Sequence, residues 1–276
     1  MKEKFRLAVC QMNVVDNKEV NIFKAHELLV RAAENCAEIA VLPEMFNCPY
    51  DSSKFREYSE NADNGQTIKA VSKTAKELDM IIVAGSIPEM YEGKIYNSCF
   101  VFDKSGELIG RHRKVHLFDV DISEGIAFRE SDILSAGSGI TVFDTKLCRM
   151  GIAVCYDMRF PEMIRLMALK GAKLVIMPAA FNMVTGPAHW ELLLRTRALD
   201  NQIYTAAASP ARDESATYIS YGNSMIVGPW GDVISRAAEK ENIIYADIDL
   251  STVERIRNEL PLLKHRRHDV YDIKEI

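Results

Sequence analysis

Short apolar runs, rich in Val and Ile and stopped abruptly by Pro or Gly, constrain this chain most: Ile39 to Leu42 before Pro43, Met80 to Ala84 before Gly85, and Leu174 to Met177 before Pro178. Such runs are too short for helices and too uniformly apolar for strands with one wet face, so they read as strands buried on both sides. Amphipathic stretches of helical period lie between them. Val20 to Ala33 carries Phe23, Leu28 and Leu29 on one side, Thr67 to Leu78 carries Val71, Ala75 and Leu78, and Pro187 to Leu199 predicts a further helix. Ile95 to Phe102 and Leu108 to Arg111 flank Asp103-Lys104-Ser105-Gly106, a good hairpin turn, and Ser224 to Val227 and Val233 to Ser235 flank Gly228-Pro229-Trp230-Gly231 in the same way. The mixture is α/β with some antiparallel pairing. With no internal repeat, low-complexity tract or Pro/Gly/Ser linker, one continuous domain over residues 1–276 is the simplest organisation.

Charge and cysteine usage narrow the partners and the compartment. A net charge of -5, with Lys and Arg dispersed among acids, argues against a nucleic acid or an anionic membrane. The most basic stretch, Lys264 to His268, reads as a solvated C-terminal segment. The first apolar run starts after Lys4 and is broken at Gln11, too short for a signal peptide or a membrane span, and the expectation is a soluble, cytoplasmic protein. The 6 cysteines are widely spaced with no Cys-x-x-Cys pair, so they should be free thiols, most of them core residues.

Chemistry can sit in three segments. In Gly151-Ile152-Ala153-Val154-Cys155-Tyr156-Asp157, an apolar strand ends at Cys155, and Pro161 then suits the first turn of a helix. A thiol on such a strand-to-helix turn stands near backbone N–H groups that can stabilise an oxyanion; a Cys ending a strand can equally be packing. In Val41-Leu42-Pro43-Glu44-Met45-Phe46 a carboxylate follows directly on a buried strand. Desolvation there raises its affinity for a proton, which suits a general base that later acts as an acid, and a capping or ion-paired Glu is the alternative. The basic cluster Gly110-Arg111-His112-Arg113-Lys114-Val115-His116 enters an apolar segment. His112 and His116 could share a helix face as zinc ligands, but no Glu follows the first His and no third ligand is evident, so no metal site is expected.

Together these segments resemble the nitrilase superfamily of carbon-nitrogen hydrolases, in which a catalytic Glu, Lys and Cys follow one another in this order. Leu42-Pro43-Glu44, Arg113-Lys114-Val115-His116-Leu117 and Cys155-Tyr156-Asp157 carry the likeness, which extends over nearly the whole chain. It implies a single-domain αββα sandwich, dimers that stack two sandwiches, and no metal or organic cofactor. Further stretches look like the omega-amidase branch, whose members hydrolyse the terminal amide of 2-oxoglutaramate and 2-oxosuccinamate: His116-Leu117-Phe118-Asp119-Val120-Asp121, Phe128-Arg129-Glu130-Ser131, Gly186-Pro187-Ala188-His189-Trp190-Glu191 and Ala208-Ser209-Pro210-Ala211-Arg212. The same resemblance makes Glu130 the second Glu that helps hold the Lys and the substrate. It places Tyr50, Arg159, Phe181 and Thr185 around the acyl group, while His189 and Trp190 are expected to pack their helix.

An amide needs a strong nucleophile, charge stabilisation at oxygen and a proton at nitrogen. Cys155, the pair of Lys114 with the Tyr156 backbone N–H, and Glu44 meet those needs in turn. Arg159 suits the far carboxylate of a short dicarboxylate monoamide, its alternative being a structural Arg bridging Glu162 or Asp157. Rival expectations are an amidase for deaminated glutathione, a Cys-His hydrolase with His116 or His189 as base, and a catalytically silent scaffold.

Overall fold

The computed structural model describes residues 3–122 and 126–276. Two sheets face each other. In the first, strands lie in the order Asn242–Asp249, Lys4–Gln11, Ile39–Val41, Ile81–Val83, Lys94–Phe102, Ile87–Tyr91, with Leu108–Arg113 also pairing with Lys94–Phe102. In the second the order is Val233–Arg236, Met225–Val227, Tyr204–Ala208, Leu174–Pro178, Arg149–Ile152, Thr141–Asp144. Each sheet has parallel strands at its centre and antiparallel strands at its edges. A small hairpin, Asp119–Ile122 with Ile126–Arg129, stands apart from both.

Strand periodicity explains why the central runs are apolar at every position. Successive side chains point to opposite faces. Leu7, Val9, Ile39, Val41, Ile81 and Val83 meet Met150, Ile152, Leu174 and Ile176 of the other sheet, whereas Ala8, Cys10, Ala40, Leu42 and Ile82 turn outward onto helices. Those helices are α1 (Lys18–Glu34) and α3 (Gln66–Glu77), with the short α2 (Ser52–Tyr58) between them in sequence. The outer face of the second sheet carries α4 (Pro161–Leu169) and α5 (Thr185–Asn201), and α6 (Leu250–Glu259) follows the last strand. The layers are therefore helix, sheet, sheet, helix, the expected αββα sandwich.

One expectation of helix facing is corrected. Leu28 and Leu29 of α1 are buried, but Phe23 is 60% exposed. At 100° per residue Phe23 lies about 140° round the helix from Leu28, on the solvent side.

The fold places the candidate residues at chain reversals. Glu44 follows the carboxyl end of Ile39–Val41 and Cys155 that of Arg149–Ile152, the strand ends where open parallel sheets bind ligands. At both corners a non-glycine residue takes the left-handed region, Met45 at φ 51 and Cys155 at φ 49, a strain of the kind that packing must hold in place. Gly85 makes the first corner possible. Its φ is +45 and a Cβ there would collide with the Pro43 carbonyl, while its neighbour Ser86 donates through its N–H to that carbonyl at 3.2 Å and receives the Met45 N–H on Oγ at 3.0 Å.

Candidate active site

Glu44 is wholly buried and held from three directions. Its Oε1 accepts from Asn97 Nδ2 at 2.8 Å and Lys114 Nζ at 3.2 Å, and its Oε2 accepts from the Ala180 backbone N–H at 2.7 Å. Burial pushes its proton affinity up; Lys114 opposes that and Glu130 adds to it, and the net shift is upward. A carboxylate fixed in this way can take a proton and return it. The alternative of a helix cap is excluded by these partners, and the ion-paired alternative describes part of the arrangement.

Lys114 comes directly after strand Leu108–Arg113 and is also wholly buried. Its ammonium lies 2.8 Å from Glu130 Oε1 and 3.2 Å from Glu44 Oε1. Burial alone would strip its proton, but Glu130, Glu44 and Cys155 together outweigh burial and hold it cationic. Glu130 opens a short 3-10 turn, Glu130–Asp132. Its Oε1 also accepts from the Tyr50 hydroxyl at 2.7 Å and its Oε2 from the Phe118 N–H at 2.7 Å. Glu130 thus pairs with Lys114, the partner that the resemblance implied.

Cys155 is 5% exposed and begins the 3-10 turn Cys155–Arg159. The first N–H groups of such a turn, those of Cys155 and Tyr156, have no acceptor within it and so suit an oxyanion. Glu44, Lys114 and Glu130 all act electrostatically on the thiol. Its pKa is raised well above the ordinary value, first by burial and then by Glu44, while Lys114 and the Ala180 N–H pull it down. At rest the sulfur is thus a thiol beside a carboxylate, and the thiolate favoured by Lys114 alone does not prevail.

A second network ties the Lys114 segment to the Cys155 turn. Asp157, wholly buried, accepts from His112 Nε2 at 3.0 Å, His116 Nδ1 at 2.8 Å, the His116 N–H at 2.9 Å and the Val154 N–H at 3.0 Å. Burial opposes its charge, but the hydrogen bonds from His112 and His116 win and hold the carboxyl well below the usual range. His112 sits in a strand, not on a helix face, and both histidines are turned onto Asp157. His189 instead accepts from Arg159 Nη1 at 3.1 Å. Among the described residues no hydrogen bond joins any of these histidines to Cys155, so the arrangement does not support a Cys-His hydrolase.

Arg159 is half-buried and, among the described residues, has no ion pair with a carboxylate; Asp157 is occupied elsewhere. Its guanidinium lies 4.7 Å from the Phe181 ring and 5.8 Å from the Tyr156 ring. Phe181 packs edge-on against buried Trp190, whose Nε1 donates to the Asn223 carbonyl at 2.7 Å. Arg197 of α5 braces the turn by donating to the Met158 carbonyl at 2.8 Å and the Arg159 carbonyl at 3.1 Å. Thr185 is buried at the start of α5 with its hydroxyl donating to Asn182 at 3.0 Å. The structure thus gathers Glu44, Lys114, Glu130, Cys155 and Tyr50 directly, sets Tyr156, Arg159 and Phe181 beside one another, and engages Thr185 with Asn182.

A cavity of about 330 Å³ approaches from the side of Glu44 and Tyr50, with Met45, Cys48, Tyr218 and Ser220 also in its wall. Cys155 and Arg159 lie outside that wall. Asn97, the Ala180 amide, Asp157 as an anchor, Arg197 and Tyr218 are functional candidates that sequence reasoning did not single out. Only Asp157, inside the Cys155 segment, had a local signal.

Comparison with known proteins matches residues 6–258 to the family model of carbon-nitrogen hydrolases. The chain belongs to the carbon-nitrogen hydrolase family. Within that family it is 48% identical over 273 residues to omega-amidase NIT2 of Danio rerio, covering 99% of this chain and 98% of the relative. It is 45% identical over 270 residues to omega-amidase NIT2 of Homo sapiens, covering 98% of each. Among solved structures, Saccharomyces cerevisiae Nit3, described as a member of branch 10 of the nitrilase superfamily, matches at a TM-score of 0.90 and 40% identity, over 97% of this chain and 98% of that one. For a carbon-nitrogen hydrolase, a carboxylate, an ammonium and a thiol meeting in one buried cluster suit amide cleavage.

Proposed function

We propose that this hydrolase is an omega-amidase, cleaving the terminal amide of short dicarboxylate monoamides such as 2-oxoglutaramate and 2-oxosuccinamate to acid and ammonia. The observation that carries the chemistry is the convergence of Glu44, Lys114 and the Cys155 thiol in one buried cluster. The similarity to curated omega-amidases over nearly the full chain supports the substrate class.

Cys155 Sγ attacks the amide carbon as Glu44 takes the thiol proton; the thiol's raised pKa makes that concerted removal necessary. The carbonyl oxygen gains charge and is met by the Lys114 ammonium and the Tyr156 N–H. Glu44 passes its proton to nitrogen, the carbon-nitrogen bond breaks, and ammonia leaves a thioester on Cys155. Glu44 then takes a proton from water as it attacks the thioester, and returns it to sulfur as the acid departs. Arg159, which has no carboxylate partner among the described residues, receives the far carboxylate of the substrate, with Tyr50 and Phe181 bounding the acyl chain. The enzyme works in the cytoplasm, a compartment its 6 free cysteines suit, and as a homodimer through α5.

Purified protein assayed with 2-oxoglutaramate, succinamate and deaminated glutathione tests the substrate: ammonia should be released from the first two far faster than from the third. Preference for deaminated glutathione would overturn the omega-amidase assignment. Intact mass during turnover should show an acyl adduct, and Glu44→Gln should abolish it.

A further inference from the structure

The Ala180 amide fixes the carboxylate of the cluster, donating to Glu44 Oε2 at 2.7 Å. Residues 180–182 lie beyond strand Leu174–Pro178, so something outside that strand must fix them. The loop from Ser209 to Asn223 does so. The Tyr218 hydroxyl donates to the Ala180 carbonyl at 2.5 Å, the Tyr221 N–H donates to the Phe181 carbonyl at 2.7 Å, and Ser220 bridges Asn182.

Tyr218 has a second point of purchase. Its ring packs on the Tyr50 ring with centroids 4.6 Å apart and on Phe128 at 5.9 Å. Tyr50 in turn gives its hydroxyl to Glu130 at 2.7 Å, and Glu130 holds Lys114 at 2.8 Å. One half-buried side chain therefore supports a neighbour of Glu44 through its hydroxyl and those of Lys114 through its ring.

We propose that Tyr218 is a positioning residue for amide hydrolysis, its hydroxyl fixing the Ala180 peptide against Glu44 and its ring seating Tyr50 on Glu130. The proposal rests on Glu44, Lys114 and Cys155 being the catalytic groups. A phenylalanine would keep the ring contact and lose the hydroxyl; an alanine would lose both. The two arms can therefore be cut separately.

The test is steady-state kinetics on succinamate for wild type, Tyr218→Phe, Tyr218→Ala and Glu44→Gln, with the rate of iodoacetamide alkylation followed at the Cys155 peptide. Loss of one hydrogen bond of ordinary strength that acts only in the transition state lowers kcat about tenfold in Tyr218→Phe, with KM unchanged. Alkylation of Cys155 should slow in parallel, because Glu44 must take the thiol proton there too. Tyr218→Ala should lose on the order of a hundredfold, the two arms adding. Wild-type kcat in Tyr218→Phe, or a loss confined to KM, overturns the proposal, the second because it would place the hydroxyl on the substrate. Full activity in Glu44→Gln would instead remove the catalytic assignment, whatever Tyr218 does.

Discussion

Lys114 Nζ and Glu130 Oε1 are 2.8 Å apart with neither residue exposed, and the same ammonium is 3.2 Å from Glu44 Oε1. One cation thus serves two buried carboxylates. Removing it in Lys114→Met leaves both uncompensated, a change that usually costs about 3–5 kcal/mol of stability. Turnover should fall by a hundredfold to a thousandfold or more, the usual order of magnitude for one lost oxyanion donor. Glu130→Gln should be milder on both counts, since Lys114 keeps Glu44. Urea unfolding beside ammonia release measures the two effects, and a Lys114→Met protein as stable and as active as wild type would contradict the arrangement.

Arg159 is half-buried with no carboxylate partner among the described residues, and its guanidinium sits 4.7 Å over the Phe181 ring. If the substrate supplies the missing anion, Arg159→Met should raise KM for succinamate by about tenfold to a hundredfold, the value of a charge-assisted hydrogen bond. A short neutral amide should be turned over as before. Equal losses on charged and neutral amides would show that Arg159 only braces the turn.

The outer face of α5 and the loop beside it leave Leu192 64%, Trp230 57% and Leu199 42% exposed around a shallow groove. Large apolar side chains grouped on one face mark an interaction surface. If α5 faces a second copy, Leu192→Asp with Trp230→Ser should halve the mass seen by light scattering without unfolding the chain. A wild type that is already monomeric at micromolar concentration would dismiss the dimer.

Buried parallel strands and their hairpins were legible because Pro and Gly punctuate them, and α5 began only two residues before the expected Pro187, which its first turn accommodates. The short, polar α2 had no comparable apolar stripe, whereas α6 buries Leu250, Val253 and Ile256 at helical spacing, a stripe that was not singled out. They start on side-chain caps, Asp51 accepting from the Ser53 N–H and Asp249 from the Ser251 N–H. Glu44 and Cys155 stood out because each comes at the end of an apolar strand, and Lys114 because its basic cluster enters an apolar segment. Asn97, Ala180 and Tyr218 did not, because their partners are 53, 136 and 38 residues away and Ala180 acts through its backbone. The spacing of His112 and His116 would suit one helix face, but there the chain leaves a strand and bends back round Asp157.

Asp157 makes the network sensitive to acid in one direction. Burial alone would raise its pKa, but His112, His116 and the Val154 N–H hold the folded-state value below the ordinary value of about 3.9. A group depressed by folding contributes stability above its unfolded pKa and loses it as pH falls toward the folded one. Asp157→Asn should therefore be most destabilising near neutral pH, and the gap to wild type should narrow below about pH 4 as Asp157 in the unfolded chain takes up its proton. Urea unfolding at pH 7.5, 5.0 and 3.5 would measure it. A gap that stays constant across that range would mean that Asp157 holds the two segments by shape and not by charge.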